Sequence, residues 1–189
     1  MDLATDHDRR TRTDAELIAA ARAAPERFAV VFDRHYERIY AYAARRLGRD
    51  LAEDVASETF LVAFSRLAGY DPARVDAAPW LYGIASNLIA RHARAEARRY
   101  RALAKLPADV AVAEIDVAAR LDAATARGRL AAALARLPGP ERNVLLLVAW
   151  AGLSQPEVVL ARGVPADIVR SRLHRARQEM RASLSEGTL

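Results

Sequence analysis

An arginine-rich segment lies near the carboxyl end of the chain. Residues 166–181 contain five arginines and two acidic residues. At helical spacing, one face of this segment collects cationic and polar side chains: Arg170, Ser171, His174, Arg175, Arg177 and Gln178. Guanidinium groups bind phosphate and can form bidentate hydrogen bonds with guanine, and a serine hydroxyl can bind either. The segment is therefore a candidate DNA-binding helix, with a solvated amphipathic helix as the alternative.

A second charged group, in the first half of the chain, is acidic. Its side chains recur at three- and four-residue steps: Asp50, Glu53, Asp54, Ser57 and Glu58. On a helix they form one face, opposite the apolar residues Ala52, Ala56, Phe60, Ala63 and Leu67. Because an acidic face repels DNA, in a basic protein it favours a basic protein partner. The alternative is an acidic face that is simply solvated.

Residues 79–87 place one tryptophan and one asparagine just before a long basic run. An exposed aromatic ring can stack on an unpaired base, and an asparagine amide can bond to a base edge. We expect Trp80 in the core in preference to a direct stacking role, and Asn87 is the stronger candidate for base contact. The run has six cations against Glu96 alone: Arg91, Arg94, Arg98, Arg99, Arg101 and Lys105. It can follow a phosphate backbone or be only a solvated face.

The composition and the remaining motifs exclude several classes of protein. The absence of cysteine excludes disulfides, cysteine-ligated zinc, iron–sulfur clusters and a cysteine nucleophile. His35, His92 and His174 lack an acid three or four residues before them, and no Gly-rich phosphate loop or serine nucleophile elbow occurs. We therefore expect no enzyme activity and no cofactor, and an all-helical hydrolase is disfavoured. With no signal peptide and no apolar run of membrane-spanning length, we expect a cytoplasmic protein without membrane insertion.

The elements that position these groups are all expected to be helices. The chain has 189 residues, 52% of them hydrophobic, and no stretch shows the period of two that marks a strand. Glycines and prolines divide it into a polar extension with a short helix (1–25), a helical bundle (26–105), an acidic linker (106–125) and a second bundle (126–189). The linker has a net charge of −3 between two net basic blocks, which favours two modules that meet a polyanion.

Local signals place several helix ends. Asp14 is expected to cap the short first helix, and one long helix is expected from Pro79 through about Tyr100. In the second bundle, Ser154 can cap a helix and Gly163 supplies a tight turn before the arginine-rich helix. This is the pattern of a helix-turn-helix, whose second helix enters the major groove of DNA.

The chain resembles, at three places and in the same order, the extracytoplasmic-function sigma factors, the small two-domain branch of the main bacterial sigma family. Residues 50–60 resemble the family's polymerase-binding helix, and residues 79–87 resemble the helix that supports promoter melting. Residues 152–177 resemble its fourth conserved region. The chain departs from the usual residues of the family at three positions: Ser57 for Gln, Val159 for Ala and Arg162 for Leu.

The resemblance implies a role for each group of residues. The upstream promoter element would be bound by Arg170, Ser171, His174, Arg175 and Arg177. The downstream element and its melted strand would be contacted by Trp80 and Asn87. The basic run beside them adds four candidate contacts with the strand: Arg91, Arg94, Arg98 and Arg99. The clamp helices of the largest polymerase subunit would be bound by Asp50, Glu53, Asp54, Ser57 and Glu58. The implied partners are core RNA polymerase, through its clamp helices and flap region, promoter DNA, and an anti-sigma factor.

The resemblance thus predicts a sigma factor that directs core RNA polymerase to specific promoters and assists their opening. The alternative is a stand-alone helix-turn-helix regulator that binds DNA without polymerase. The acidic face and residues 79–87 argue against that alternative, because such a regulator needs neither.

Overall fold

The computed structural model describes residues 12–105 and 117–185, and within these ranges it contains helices and no strand. The helices are α1 (Asp14–Ala21), α2 (Phe28–Leu47), α3 (Arg49–Ser65), α4 (Ala78–Arg91), α5 (Ala93–Lys105), α6 (Val117–Arg136), α7 (Gly139–Ala149), α8 (Gln155–Arg162) and α9 (Ala166–Ser185). Short 3-10 turns lie at Pro25–Arg27 and Leu67–Gly69. The predicted all-α fold class is confirmed.

Helix α1 is anchored to the first bundle by its apolar face and by its first turn. Thr13 is its cap: the Thr13 hydroxyl accepts the backbone N–H of Glu16 at 3.2 Å, and the Glu16 carboxylate accepts the N–H of Thr13 at 2.7 Å. The prediction of Asp14 as the cap was wrong, because the Asp14 carboxylate turns inward and accepts the backbone N–H of Ala77. Leu17 and Ile18 are fully buried, and each contributes about 1.5–3 kcal/mol to the core.

Helices α2 to α5 form the rest of the first bundle. The chain turns between α2 and α3 at Gly48, whose φ of 97° is a conformation that favours glycine. The single helix expected from Pro79 through Tyr100 is instead two helices, because the backbone leaves the helical conformation at His92 (φ −96°, ψ 23°). The change of direction accompanies the burial of Glu96 and Tyr100 on α5, and such tertiary contacts override local helix preference.

Helices α6 to α9 form the second bundle. Helix α6 begins at Val117, within the segment predicted as the linker, and residues 106–116 of that segment lie outside the described residues. Helix α8 has the capping box of Ser154 and Glu157, and it ends at Gly163, whose φ of 61° is left-handed. Helix α9 then packs on α7 through its buried stripe of Val169, Leu173 and Ala176.

The two bundles contact each other. Helix α4 of the first bundle packs against α8 of the second, and α5 packs against α6. The hydrophobic core continues from one bundle into the other. The helix-turn-helix is therefore seated directly on the helix that carries Asn87.

Candidate functional site

The arginine-rich helix α9 presents the predicted upstream-element residues to solvent. All five are exposed: Arg170, Ser171, His174, Arg175 and Arg177. The Ser171 hydroxyl donates a hydrogen bond to the backbone oxygen of Ile168 at 3.1 Å, as serine does in a helix. Arg175 forms an ion pair with Glu141 of α7 at 3.0 Å, and its side chain remains 61% exposed. The helix thus offers a continuous cationic face to a polyanion.

The amino end of α8, the first helix of the helix-turn-helix, is held by local interactions. The Glu157 carboxylate accepts hydrogen bonds from the Ser154 hydroxyl at 2.6 Å and from the Ser154 backbone N–H at 2.7 Å. These hydrogen bonds lower the pKa of Glu157, so that the carboxylate stays charged at the amino end of α8, where the helix dipole favours a negative charge. These interactions fix where α8 begins, and the left-handed Gly163 ends it before α9.

Arg162, the departure from the family pattern at the end of α8, reaches across to the first bundle. Its Nη1 donates a hydrogen bond to the Oδ1 of Asn87 at 2.9 Å. Burial lowers the pKa of Arg162, while Tyr42 opposes the shift and the positive charges of Arg46 and Arg172 add to it. Arg162 therefore makes a contact between the two bundles.

The predicted downstream-element residues do not all share one environment. Asn87, Arg91, Arg94 and Arg98 are exposed along α4 and α5, whereas Arg99 is half-buried next to Gly48. Trp80 is half-buried and packs on the core, with its ring 4.9 Å from that of Tyr70. This placement is the one expected of a core tryptophan. Arg91 forms an ion pair with Glu58 of α3 at 2.8 Å.

The acidic face of α3 is accessible along its length. Asp50, Glu53, Asp54 and Ser57 are exposed, and the Glu58 side chain is 44% exposed. An apolar continuation of this face was not predicted from the sequence: Leu61 is 68% exposed and Phe64 is 40% exposed. Leu61 and Phe64 follow Ser57 by four and seven residues, and this helical spacing was the sequence signal that they lie on the same side of α3. The surface is acidic at one end and apolar at the other.

A buried polar network between the two bundles was also missed. Glu96 of α5 accepts hydrogen bonds from the Nε of Arg46 at 2.6 Å and from the Nη2 of Arg142 at 3.1 Å. Arg46 also donates to the Oδ1 of Asn143 at 2.5 Å and to the Tyr42 hydroxyl at 2.9 Å. Burial alone would lower the pKa of Arg46, but the neighbouring Tyr42 and Glu96 raise it, so the guanidinium stays charged. The sequence signal for this network was Glu96, the one acidic residue within the basic run of residues 91–105.

One group of possible metal ligands occurs within the described residues: Asp14, His35 and Asp76, whose ligand atoms lie within 4.8 Å of one another. Both oxygens of the Asp14 carboxylate already have hydrogen-bond partners. Its Oδ1 accepts a hydrogen bond from Arg34 at 2.7 Å, and its Oδ2 is paired with His35 Nε2 at 2.7 Å and accepts the Ala77 N–H at 2.9 Å. Burial alone would raise the pKa of Asp14, but these partners hold it at about 2. The hydrogen bonds of Asp14 therefore join α1 to α2 and to the loop before α4.

Comparison with known proteins matches both bundles. Residues 31–99 match the family Sigma-70 region 2, and residues 127–180 match Sigma-70, region 4. The RNA polymerase sigma factor CnrH of Cupriavidus metallidurans is 33% identical, over 90% of this chain and 95% of its own. The ECF (extracytoplasmic-function) RNA polymerase sigma factor SigL of Mycobacterium tuberculosis is 31% identical, over 89% of this chain and 93% of its own. The chain belongs to the extracytoplasmic-function family of RNA polymerase sigma factors. Its relatives are sigma factors, which are not enzymes.

Other comparisons support the same assignment of this sigma factor. The RNA polymerase sigma factor NccH of Alcaligenes xylosoxydans is 31% identical, over 83% of this chain and 86% of its own. The structure of CnrH in complex with the cytosolic domain of CnrY superposes with a TM-score of 0.64 at 29% identity, covering 92% of this chain and 97% of that one. None of the helices in the described ranges has the length and apolar character that crossing a bilayer requires.

Proposed function

We propose that this sigma factor directs core RNA polymerase to specific promoters through three separate surfaces and performs no covalent chemistry itself. The observation that carries the proposal is the presence, in one chain, of an exposed acidic face on α3 and exposed basic faces on α5 and α9. A protein that only bound DNA would gain nothing from the acidic face, because it repels phosphates. The acidic surface therefore serves a protein partner, and the basic surfaces serve DNA.

The upstream promoter element is bound by α9. Arg170, Ser171, His174, Arg175 and Arg177 extend from a helix whose opposite side is packed on α7, so the exposed side can lie in a major groove. Arginines on this side can pair with guanine edges or with phosphates, and the two kinds of contact have different effects on specificity.

The downstream element is bound in its melted form beside α4 and α5. Asn87 offers a side-chain amide to a base edge, and the exposed Arg91, Arg94 and Arg98 follow the backbone of the strand, with Arg99 beside them. Trp80 supports the position of α4 from the core side. Because these groups bind single-stranded bases in preference to a duplex, their binding free energy favours promoter opening.

Core polymerase is bound by the acidic face of α3. We assign its clamp helices to Asp50, Glu53, Asp54, Ser57 and Glu58, with Leu61 and Phe64 as an apolar extension of the same contact. The second bundle contacts the flap region. The protein acts in the cytoplasm, where polymerase is found. The family resemblance implies an anti-sigma factor, and CnrH was solved with the cytosolic domain of a second protein, CnrY, bound to it. We therefore also assign to this chain an anti-sigma factor as a regulatory partner.

Run-off transcription tests the proposal. Bacterial core polymerase is incubated with fragmented genomic DNA of the source organism, with and without the protein. We expect discrete transcripts that require the protein, and co-elution of the protein with core polymerase. Asp54→Lys should abolish both, whereas Glu26→Lys, the same charge change at an exposed position outside α3, should abolish neither.

The stand-alone regulator predicts a different set of results. It would bind duplex DNA without polymerase, would not co-elute with the core enzyme and would yield no dependent transcripts. The Asp54→Lys variant of such a regulator would also lose no function, because the acidic face of α3 would have no partner. That combination of results would refute the sigma-factor mechanism proposed for these surfaces.

A further inference from the structure

One arginine on the exposed face of α9 differs from its neighbours in what it contacts. The Nη2 of Arg175 lies 3.0 Å from the Oε1 of Glu141 on α7, and the two side chains form an ion pair. Within the described residues, the other exposed arginines of α9 form no ion pair: Arg170, Arg177 and Arg181. The charge of Arg175 is therefore already matched inside the protein, whereas the charges of the other three are not.

Glu141 is fixed in place at the beginning of α7. Its side chain is 13% exposed, and it lies in the first turn, where the helix dipole favours a negative charge. The next residue, Arg142, is buried and donates hydrogen bonds to the backbone oxygens of Leu134 and Leu137, at 3.1 and 3.2 Å. These hydrogen bonds join the start of α7 to the end of α6. The exposed Arg175 is thus paired with a carboxylate on a firmly held part of the bundle.

The ion pair leaves the guanidinium of Arg175 able to recognise guanine. A guanidinium has N–H donors in one plane, and two of its edges each present a pair of parallel donors. The two hydrogens of Nη2 belong to different edges, so one carboxylate oxygen on Nη2 leaves one edge complete. Guanine offers its O6 and N7 as a matching pair of acceptors in the major groove. Arg175 can therefore bind guanine while it stays paired with Glu141.

The same ion pair weakens the competing contact between Arg175 and a phosphate. Non-specific binding is driven by the charges of arginine and lysine against those of the phosphates. Together, Arg175 and Glu141 carry no net charge, so a phosphate gains little by approaching them, whereas the hydrogen bonds to a neutral guanine edge remain. The pair also orders the arginine side chain before DNA arrives, so that less conformational entropy is lost in making the base contact.

We propose that Glu141 is a positioning residue for specificity at the upstream element: it holds Arg175 ready for guanine and disfavours its contact with phosphate. Glu141 itself contacts no base, and its effect passes through Arg175. The inference rests on the proposed function of α9 and deepens it, because it places one determinant of base preference on α7. The ligand that it names is a guanine–cytosine pair in the upstream element.

Base discrimination tests the proposal. The full chain is bound to duplexes that carry the upstream element of a promoter found by run-off transcription, with each base pair replaced in turn. Arg175→Ala identifies its own base pair as the one at which discrimination is lost. Glu141→Gln, which keeps the size of the side chain and removes its charge, should reduce discrimination at that base pair alone. The matched control is Glu179→Gln, the same change at an exposed acid of α9 that forms no ion pair within the described residues.

Non-specific binding to an unrelated duplex supplies the second measurement. An exposed ion pair contributes a factor of about 1.4 to 5, so Glu141→Gln should lower the ratio of specific to non-specific affinity by about that factor. The released Arg175 should also bind one phosphate, which steepens the slope of log affinity against log salt by about 0.9. Adding Arg175→Ala to Glu141→Gln should restore the original slope. A misfolded variant would instead lose affinity for both duplexes.

The outcomes separate this inference from the proposed function of α9. Unchanged discrimination in Glu141→Gln would overturn the inference, as would a loss spread over all base pairs or shared by Glu179→Gln. An unchanged salt slope in Glu141→Gln would overturn it as well. If the unsubstituted chain bound the upstream element no better than the unrelated duplex, the proposed function of α9 would fail, and this inference with it.

Discussion

Replacing Asp14 by asparagine removes one charge from the point where α1, α2 and the loop before α4 meet. The Asp14 carboxylate accepts hydrogen bonds from Arg34, His35 and the backbone of Ala77. Asparagine keeps the size of the side chain and one acceptor oxygen. The substitution therefore tests the charge of Asp14 and leaves the packing of α1 nearly unchanged.

The magnitude follows from the pKa of Asp14, which is held at about 2 against a reference value of 3.8. A difference of nearly two pKa units corresponds to about 2–3 kcal/mol of folding free energy. Because the pKa in the folded state is the lower one, this stabilisation is complete above the unfolded pKa near pH 4. It is lost as the pH falls towards 2, where the folded state also takes up the proton.

The assay is urea denaturation of the full chain and of Asp14→Asn across pH 7 to 2.5. We expect Asp14→Asn to be about 2–3 kcal/mol less stable at pH 7, with the difference shrinking as the pH falls below 4. Asp50→Asn, an exposed carboxylate on α3, is the control and should change stability by less than about 0.5 kcal/mol. Equal stability of Asp14→Asn and the unsubstituted chain at pH 7, or a constant difference down to pH 2.5, would refute the reasoning.

Two further predictions concern DNA binding. Arg175→Ala should weaken binding to the upstream element by about 1–3 kcal/mol at fixed salt, measured by filter binding. The free energy of a base contact is larger than that of the exposed ion pair between Arg175 and Glu141. Glu141→Ala should not weaken this binding, and an unchanged affinity of Arg175→Ala would remove that arginine from the base-contacting surface. Arg98→Ala should lower the slope of log affinity against log salt for single-stranded DNA by about 0.7, the loss of one phosphate contact. An identical slope would show that no phosphate lies against Arg98.

The helix-turn-helix was predictable because its signals are local. Ser154 caps α8 through the backbone N–H three residues later, and Gly163 ends it in a left-handed conformation, as each residue type favours. Neither interaction needs a distant part of the chain. The exposed faces of α3 and α9 were predictable for a similar reason, since helical spacing alone sorts apolar from charged side chains.

The features that were missed depend on distant partners. Thr13 and Asp14 are both good capping residues, and Thr13 became the cap because Ala77, His35 and Arg34 draw the Asp14 carboxylate inward. The break at His92 and the docking of the two bundles likewise depend on tertiary contacts. Sequence spacing within one helix contains no information on what packs against it.

The exposed ion pair between Glu58 and Arg91 has a consequence for how two ligands are bound together. Glu58 is assigned to polymerase and Arg91 to DNA, so either ligand must break the ion pair when it binds. The second ligand then binds a residue whose ion pair has already been broken. Binding of either ligand then strengthens binding of the other by the same factor. An exposed pair at 2.8 Å, worth about 0.2–1 kcal/mol, sets that factor at about 1.4 to 5. The ternary complex of sigma factor, polymerase and promoter is thereby favoured slightly over either binary complex.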